Sequence, residues 1–112
     1  KQQIRDYIEQ NYYKIGFTLD EIRGTYEFNE TCQNTVPQAF EAFFEAKDFE
    51  DAIRNAVSVG GDSDTLAAIT GSIAEAYFGV PFNLRKKAES YIDNDTFRPI
   101  HTWLKRFEKM FP

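Results

Sequence analysis

The reading of this chain turns on Val57-Ser58-Val59-Gly60-Gly61-Asp62-Ser63-Asp64-Thr65-Leu66-Ala67-Ala68. Phe49, Ala52, Ile53, Ala56 and Val57 fall at i, i+3, i+4, i+7 and i+8, so an amphipathic helix runs into this stretch. Gly60 and Gly61 stand where a helix C-terminus takes a left-handed residue, a conformation glycine reaches without steric cost. A second helix leaves at about Asp64 and continues to Phe78. The turn between the two helices carries two carboxylates and two hydroxyls in four residues, Asp62, Ser63, Asp64 and Thr65. One reading is a well-capped helix start, in which side-chain oxygens accept from orphan N–H groups and the helix dipole favours negative charge. The other is a divalent-cation site. Two aspartates at i and i+2 give more charge than one cap requires, their oxygens are the hard ligands that Mg²⁺ and Mn²⁺ prefer, and the double glycine lets a ligand approach the backbone closely.

The flanking segments read as packing around this turn. The outgoing helix is apolar almost all round, with Leu66, Ile69, Ile73 and Tyr77 on one face and Ala67, Gly71, Ala74 and Phe78 on another, which predicts burial inside a bundle. Gly79 and Pro81 end it. Upstream, Asp48 is expected to cap the incoming helix, with Asp51 in its first turn. Before that, Thr35 caps a helix with Pro37 in its first turn, burying Val36, Ala39, Phe40, Phe43 and Ala46. Thr25 to Gln33 has no period and reads as a loop, of a length that usually serves function. Thr18 and Glu21 form a capping box for a short helix that Gly24 stops. Lys1 to Tyr13 repeats Ile4, Ile8 and Tyr12, with Tyr7 beside them, as a further helix. Downstream, a short helix over 83–92 exposes Arg85, Lys86 and Lys87, and Asp95 caps a last helix with a stripe of Phe97, Ile100, Leu104, Phe107 and Phe111. Strand signals and internal repeats are absent, so the fold class is all-α, an orthogonal multi-helix bundle.

The 112 residues suffice for one helical domain over 1–112, and 42% apolar content with eleven phenylalanines can build a substantial core. A net charge of −5, from 13 Lys+Arg against 18 Asp+Glu, leaves no basic stripe for a nucleic-acid backbone. No apolar run approaches a membrane span, and the opening residues do not read as a secretory leader. With Cys32 the only cysteine, a reducing compartment fits. The expectation is a cytoplasmic protein that binds neither membrane nor nucleic acid.

Asp62, Asp64 and Thr65 supply roughly half of an octahedral shell, so the rest of a metal site must come from elsewhere. Glu41, Glu45, Asp48, Glu50 and Asp51 sit at helix-surface spacing and read as solvated. Cys32 lacks a neighbouring activator, the only histidine being His101 far along the chain, and reads as a buried or pocket-wall thiol. Trp103 and the Phe97–Phe111 stripe read as core. A phosphatase-type Asp-x-Asp nucleophile fails because Thr65 falls one position early and a helix, not a strand, precedes it. From a different class, the chain could be a non-catalytic helical interaction or assembly module.

The run Gly60-Gly61-Asp62-Ser63-Asp64-Thr65, followed by Leu66 to Gly79, resembles the second metal-binding motif of the ADP-ribosylglycohydrolase family. Cys32 to Ala39 and Phe49 to Ile53 are similar to its two preceding helices, and the resemblance covers about Thr31 to Pro81. Ser63 stands where many members have threonine. The resemblance implies hydrolysis of a glycosidic bond between ADP-ribose and an acceptor, with an ADP-ribosylated substrate and two Mg²⁺ or Mn²⁺ ions. Carried onto this chain, Asp62, Asp64 and Thr65 are metal ligands, with Asp64 bridging. Gly60, Gly61 and Ser63 shape the pocket floor, and Thr31, Cys32 and Gln33 lie beside the ribose or diphosphate. The family fold is more than twice this length, the chain starts inside a helical pattern at Lys1, and the family's early Thr-Asp-Asp-Thr-like run is missing. The chain is therefore expected to be the C-terminal part of a larger hydrolase, inactive alone, with any general acid or base in the N-terminal part. Helix faces left uncovered would drive homo-oligomerisation or a domain swap.

Overall fold

A computed structural model of the chain describes residues 1–110. These residues form an all-α protein of helices α1 (Gln2–Asn11), α2 (Leu19–Ile22), α3 (Val36–Glu45), α4 (Phe49–Ser58), α5 (Ser63–Phe78), α6 (Phe82–Glu89) and α7 (Asn94–Met110), with a single 3-10 turn at Cys32–Asn34. The chain divides into two compact units, Lys1–Gly79 and the segment from Val80 onward. Among the described residues no helix is long and apolar enough to cross a membrane.

In the first unit α3, α4 and α5 pack on one another through small residues. Ala39, Ala42, Ala52, Ala56 and Ala74 are buried, together with Leu19, Phe43, Val59 and Leu66. Alanine at a crossing lets two backbones approach, and Gly71 extends this: a Cβ there would lie 3.1 Å from Ile53 Cδ1. Polar ties cross the same contacts. Thr70, fully buried, donates to the Ala39 carbonyl at 3.1 Å, and Asn55 Nδ2 donates to the Ala42 carbonyl at 3.2 Å. Phe43 anchors the far end, edge-on to Tyr77 and Phe78 with ring centroids 5.4 and 6.0 Å away.

Two of the expected caps form as read. Thr18 Oγ1 accepts from Glu21 N while Glu21 Oε2 accepts from Thr18 N at 2.7 Å, and Asp48 Oδ1 accepts from Asp51 N at 2.8 Å. Two do not. Thr35 holds the cap position of α3, but its φ of −125° and ψ of −49° are not the extended geometry a capping bond needs. Its hydroxyl donates instead to the Thr31 carbonyl at 2.7 Å. For α7 the cap is Asp93 rather than Asp95: its two oxygens take the N–H and the hydroxyl of Thr96 at 2.8 and 2.9 Å.

Burial departs from the sequence pattern at several points. Of the α1 stripe only Ile8 is buried, because α1 is held to α3 by charge. Lys1 Nζ donates to the Phe43 and Phe44 carbonyls at 2.9 and 3.3 Å, placing a cation on the negative end of α3. Arg5 pairs with Glu41 at 2.7 Å and lies over the Phe44 ring. Glu41, read as solvated, is thus buried. Val57 on α4 and Tyr77 on α5, read as core, are each 51% exposed, so each helix keeps apolar surface open. In the second unit the α7 stripe buries nothing: Ile100 and Phe107 are exposed, and Trp103 stacks on Phe107 at 58% exposure rather than entering a core. Phe111 lies outside the described residues.

Candidate functional site

The turn between α4 and α5 is built as the glycines dictate. Gly60 and Gly61 have φ of +83° and +64°. The ring of Tyr26 lies against Gly61 so closely that a Cβ there would come within 2.6 Å of Cε1. Asp62 follows at the cap position of α5, yet its carboxylate makes no capping hydrogen bond. Its backbone, at φ −80° and ψ 70°, is turned out of the extended conformation that capping needs. Asp64 lies in the first turn of α5, exposed, and its Oδ1 accepts from Thr65 N at 2.9 Å. Hydrogen bonding with the Asp62 side chain, and then with that N–H, holds the Asp64 carboxyl below the usual carboxylate range. The two carboxyls are therefore neighbours.

Asp62 and Thr65 form one wall of a hollow of about 220 Å³. The opposite wall comes from the loop that the sequence left without period: Asn29, Glu30, Cys32 and Thr35, with Val36 and Ile69 as its apolar part. That loop is ordered by its own polar groups. Asn29 Oδ1 accepts from the backbone and hydroxyl of Thr31 at 2.8 and 2.6 Å, an Asx-type turn. Tyr26 donates its hydroxyl to the Asn34 carbonyl at 2.5 Å. Burial, and the charge of Asp62, push the Tyr26 phenol up, against a hydrogen bond with Thr35.

The residues singled out in the sequence are thus distributed unevenly. Asp62, Thr65 and Cys32 line the hollow together. Thr31 ties the loop without lining it, and Gln33 sits beside Cys32 in the exposed 3-10 turn. Gly60 and Gly61 make the turn, and the Ser63 hydroxyl bends back on the Gly61 carbonyl at 3.4 Å. Asp64 stands next to Asp62 but outside the hollow's lining. Asn29, Glu30 and Thr35 were not read as site residues. The spacing Asn29-x-Thr31 is the one local signal that could have drawn attention to that corner.

A match to the family model for ADP-ribosylglycohydrolase covers residues 2–107. The chain belongs to the ADP-ribosylglycohydrolase family. The match is wider than the motif-bearing stretch Thr31 to Pro81, taking in α1 and most of α7. Among the relatives of this ADP-ribosylglycohydrolase chain, an uncharacterized protein of Archaeoglobus fulgidus is 47% identical over 49 residues, 43% of this chain and 16% of that protein. The human ADP-ribosylhydrolase ARH3 is 33% identical over 67 residues, 57% of this chain and 18% of that protein. The matched stretches thus span less than a fifth of either relative's length. No solved structure matches the chain.

The donor set suits a hard divalent cation in kind but not in number. Asp62 has a carboxylate free of the helix cap, Asp64 lies beside it, and Thr65 adds a hydroxyl. Among the described residues there is no group of three or more His, Cys, Asp or Glu side chains arranged to hold an ion. An octahedral ion would need further oxygen ligands from outside this set.

Proposed function

We propose that this chain contributes one wall of a divalent-metal site that hydrolyses the glycosidic bond between ADP-ribose and an acceptor. The observation that carries the reading is the carboxylate of Asp62, which occupies a helix cap without capping and faces a hollow together with Thr65. Family membership supports the reaction class. Asp62, Asp64 and Thr65 would hold Mg²⁺ or Mn²⁺ in a two-ion site, with the bridging role falling to Asp64, the neighbour of Asp62. When bound, such ions supply Lewis-acid polarisation of the sugar and a more acidic water. Gly60, Gly61 and Ser63 keep the floor narrow, so that a ribose can approach the turn. The loop of Thr31, Cys32 and Gln33 covers the ribose or diphosphate from the other side, and Val36 and Ile69 keep water from that part of the hollow.

About 220 Å³ is below the usual range for a pocket that encloses a drug-sized ligand. This supports a second point of the proposal: the remaining ligands, and any general acid or base, lie in sequence beyond these 112 residues, and the chain alone is inactive. The test is turnover of an ADP-ribosylated peptide. The 112-residue chain should release no ADP-ribose with Mg²⁺ or Mn²⁺ present. The native polypeptide that carries this sequence should release it, and lose that activity on Asp62→Ala or Asp64→Ala with its helical content intact. Metal-dependent release by the chain alone removes the second point, and wild-type rates in both variants remove the ligand assignment.

A second reading, a helical assembly module, draws on the open apolar surface: Val57 and Tyr77 in the first unit, and the α7 stripe in the second.

A further inference from the structure

We infer that Tyr26 is a positioning residue for the Asp62 turn, gripping both walls of the hollow without lining it; this rests on the metal-site reading above. A Cβ at Gly61 would lie 2.6 Å from Tyr26 Cε1, 2.9 Å from Cδ1 and 3.1 Å from the Glu27 carbonyl oxygen. The ring edge therefore lies on the backbone of the residue that precedes Asp62, and it closes off conformations in which that peptide would swing toward the loop. Gly61 already has a φ of +64°, so a larger residue there would strain the backbone and displace the ring. The other end of the same side chain reaches the opposite wall. Its hydroxyl donates to the Asn34 carbonyl at 2.5 Å, closing the 3-10 turn that begins at Cys32 and leads into Thr35. The base of Tyr26 is fixed as well: its N–H donates to the Ile22 carbonyl at 2.9 Å, and the side chain packs on the cluster of Leu19, Val59 and Leu66. One rigid aromatic thus couples the spacing of Asp62 to that of Cys32 and Thr35.

The ring and the hydroxyl act on different walls, so they are separable. In the native polypeptide that carries this sequence, Mn²⁺ binding is measured by calorimetry and amide exchange by mass spectrometry. Tyr26→Phe keeps the ring: Mn²⁺ affinity should stay within about twofold of wild type, while exchange across residues 32–35 rises as the hydroxyl bond is lost. Tyr26→Leu keeps apolar bulk but removes the ring edge from Gly61, and Mn²⁺ affinity should fall about tenfold, the size seen when groups that orient a metal ligand are removed. A leucine variant that binds Mn²⁺ as wild type does overturns the inference. So does an equal loss of affinity in both variants that tracks their thermal midpoints, since that is the behaviour of a merely structural residue. Absence of Mn²⁺ binding in the wild type is a different outcome: it sinks the metal-site reading and this inference with it.

Discussion

Asp62→Asn separates the two possible roles of the carboxylate, and the structure sets what each predicts. In EDTA the substitution removes no capping bond, since none exists. What it removes is the attraction of a charge to the N-terminus of α5, roughly 0.3–1 kcal/mol. The hydrogen bond between the two side chains at the turn survives, since an amide can still donate to the Asp64 carboxylate. The net change in stability without metal should therefore be smaller than about 1 kcal/mol. Asp48→Ala is the internal control: it deletes a 2.8 Å capping bond to Asp51 N and should cost about 1 kcal/mol. On the proposed metal-site reading, Mn²⁺ at 100 times its Kd should stabilise the wild-type native polypeptide by about 2.7 kcal/mol, as an ion that binds only the folded state does. If losing one carboxylate weakens binding ~100-fold, the same Mn²⁺ concentration gives the variant only about 0.4 kcal/mol. Thermal unfolding followed by circular dichroism, in EDTA and in Mn²⁺, reads all four states. The reasoning fails if Asp62→Asn gains as much from Mn²⁺ as the wild type. It fails equally if Asp62→Asn in EDTA loses as much as Asp48→Ala, for the carboxylate would then be a cap.

Burial pushes the Glu41 carboxyl above the ordinary glutamate range, and the Arg5 hydrogen bond and charge oppose this only in part. The folded chain then binds more protons than the unfolded one between the ordinary and the raised pKa, so stability falls as pH rises through that window. Glu41→Gln should flatten the difference in urea midpoint between mildly acidic and neutral pH, and an unchanged slope refutes the assignment. Thr70→Val deletes the buried bond to the Ala39 carbonyl and should cost about 1 kcal/mol, lowering the thermal midpoint by roughly 4–8 °C for a domain of this size. The purified 112-residue chain should self-associate through its open apolar faces, and light scattering that shows a stable monomer at high concentration removes that expectation.

The legible parts of the fold were those with local causes. The capping box at Thr18 and Glu21, the Asp48 cap and the left-handed Gly60-Gly61 turn each follow from residues within four positions of one another. Glu41 and Thr70 were not legible, because burial of a polar side chain depends on a partner far along the chain, Arg5 for one and Ala39 for the other. Gln38 is of the same kind: it is buried with its Oε1 unpartnered among the described residues. The run Asp93-Asn94-Asp95-Thr96 offered two aspartates for one cap, and the reach of the Thr96 hydroxyl back to Asp93 decides between them. Val57 and Tyr77 kept the helical period but not the burial, since alanines at 52, 56 and 74 fill the contacts between helices instead. At the site, periodicity located the acidic wall and could not locate the opposite one. The Asn29 to Thr35 wall is held by turns and by Tyr26, which carry no helical or strand period.

The double glycine explains why an aspartate in a cap position is not spent on capping. Thr18 and Asp48, both in extended backbone with ψ of 164° and −178°, each accept from the N–H three residues on. Asp62 has the same side-chain chemistry as Asp48 and the same position relative to its helix, but its ψ is 70° and the bond is missing. One left-handed glycine is enough to end α4. A second, pressed under the Tyr26 ring, carries the chain past the direction in which an extended cap residue would follow, and Asp62 lines the hollow with its carboxylate unbonded to the helix end. Helix termination alone gives no reason for that second glycine. The proposed metal site does, because it needs a carboxylate withheld from the helix, and on that reading the double glycine is as much a part of the site as the acidic residues that follow it.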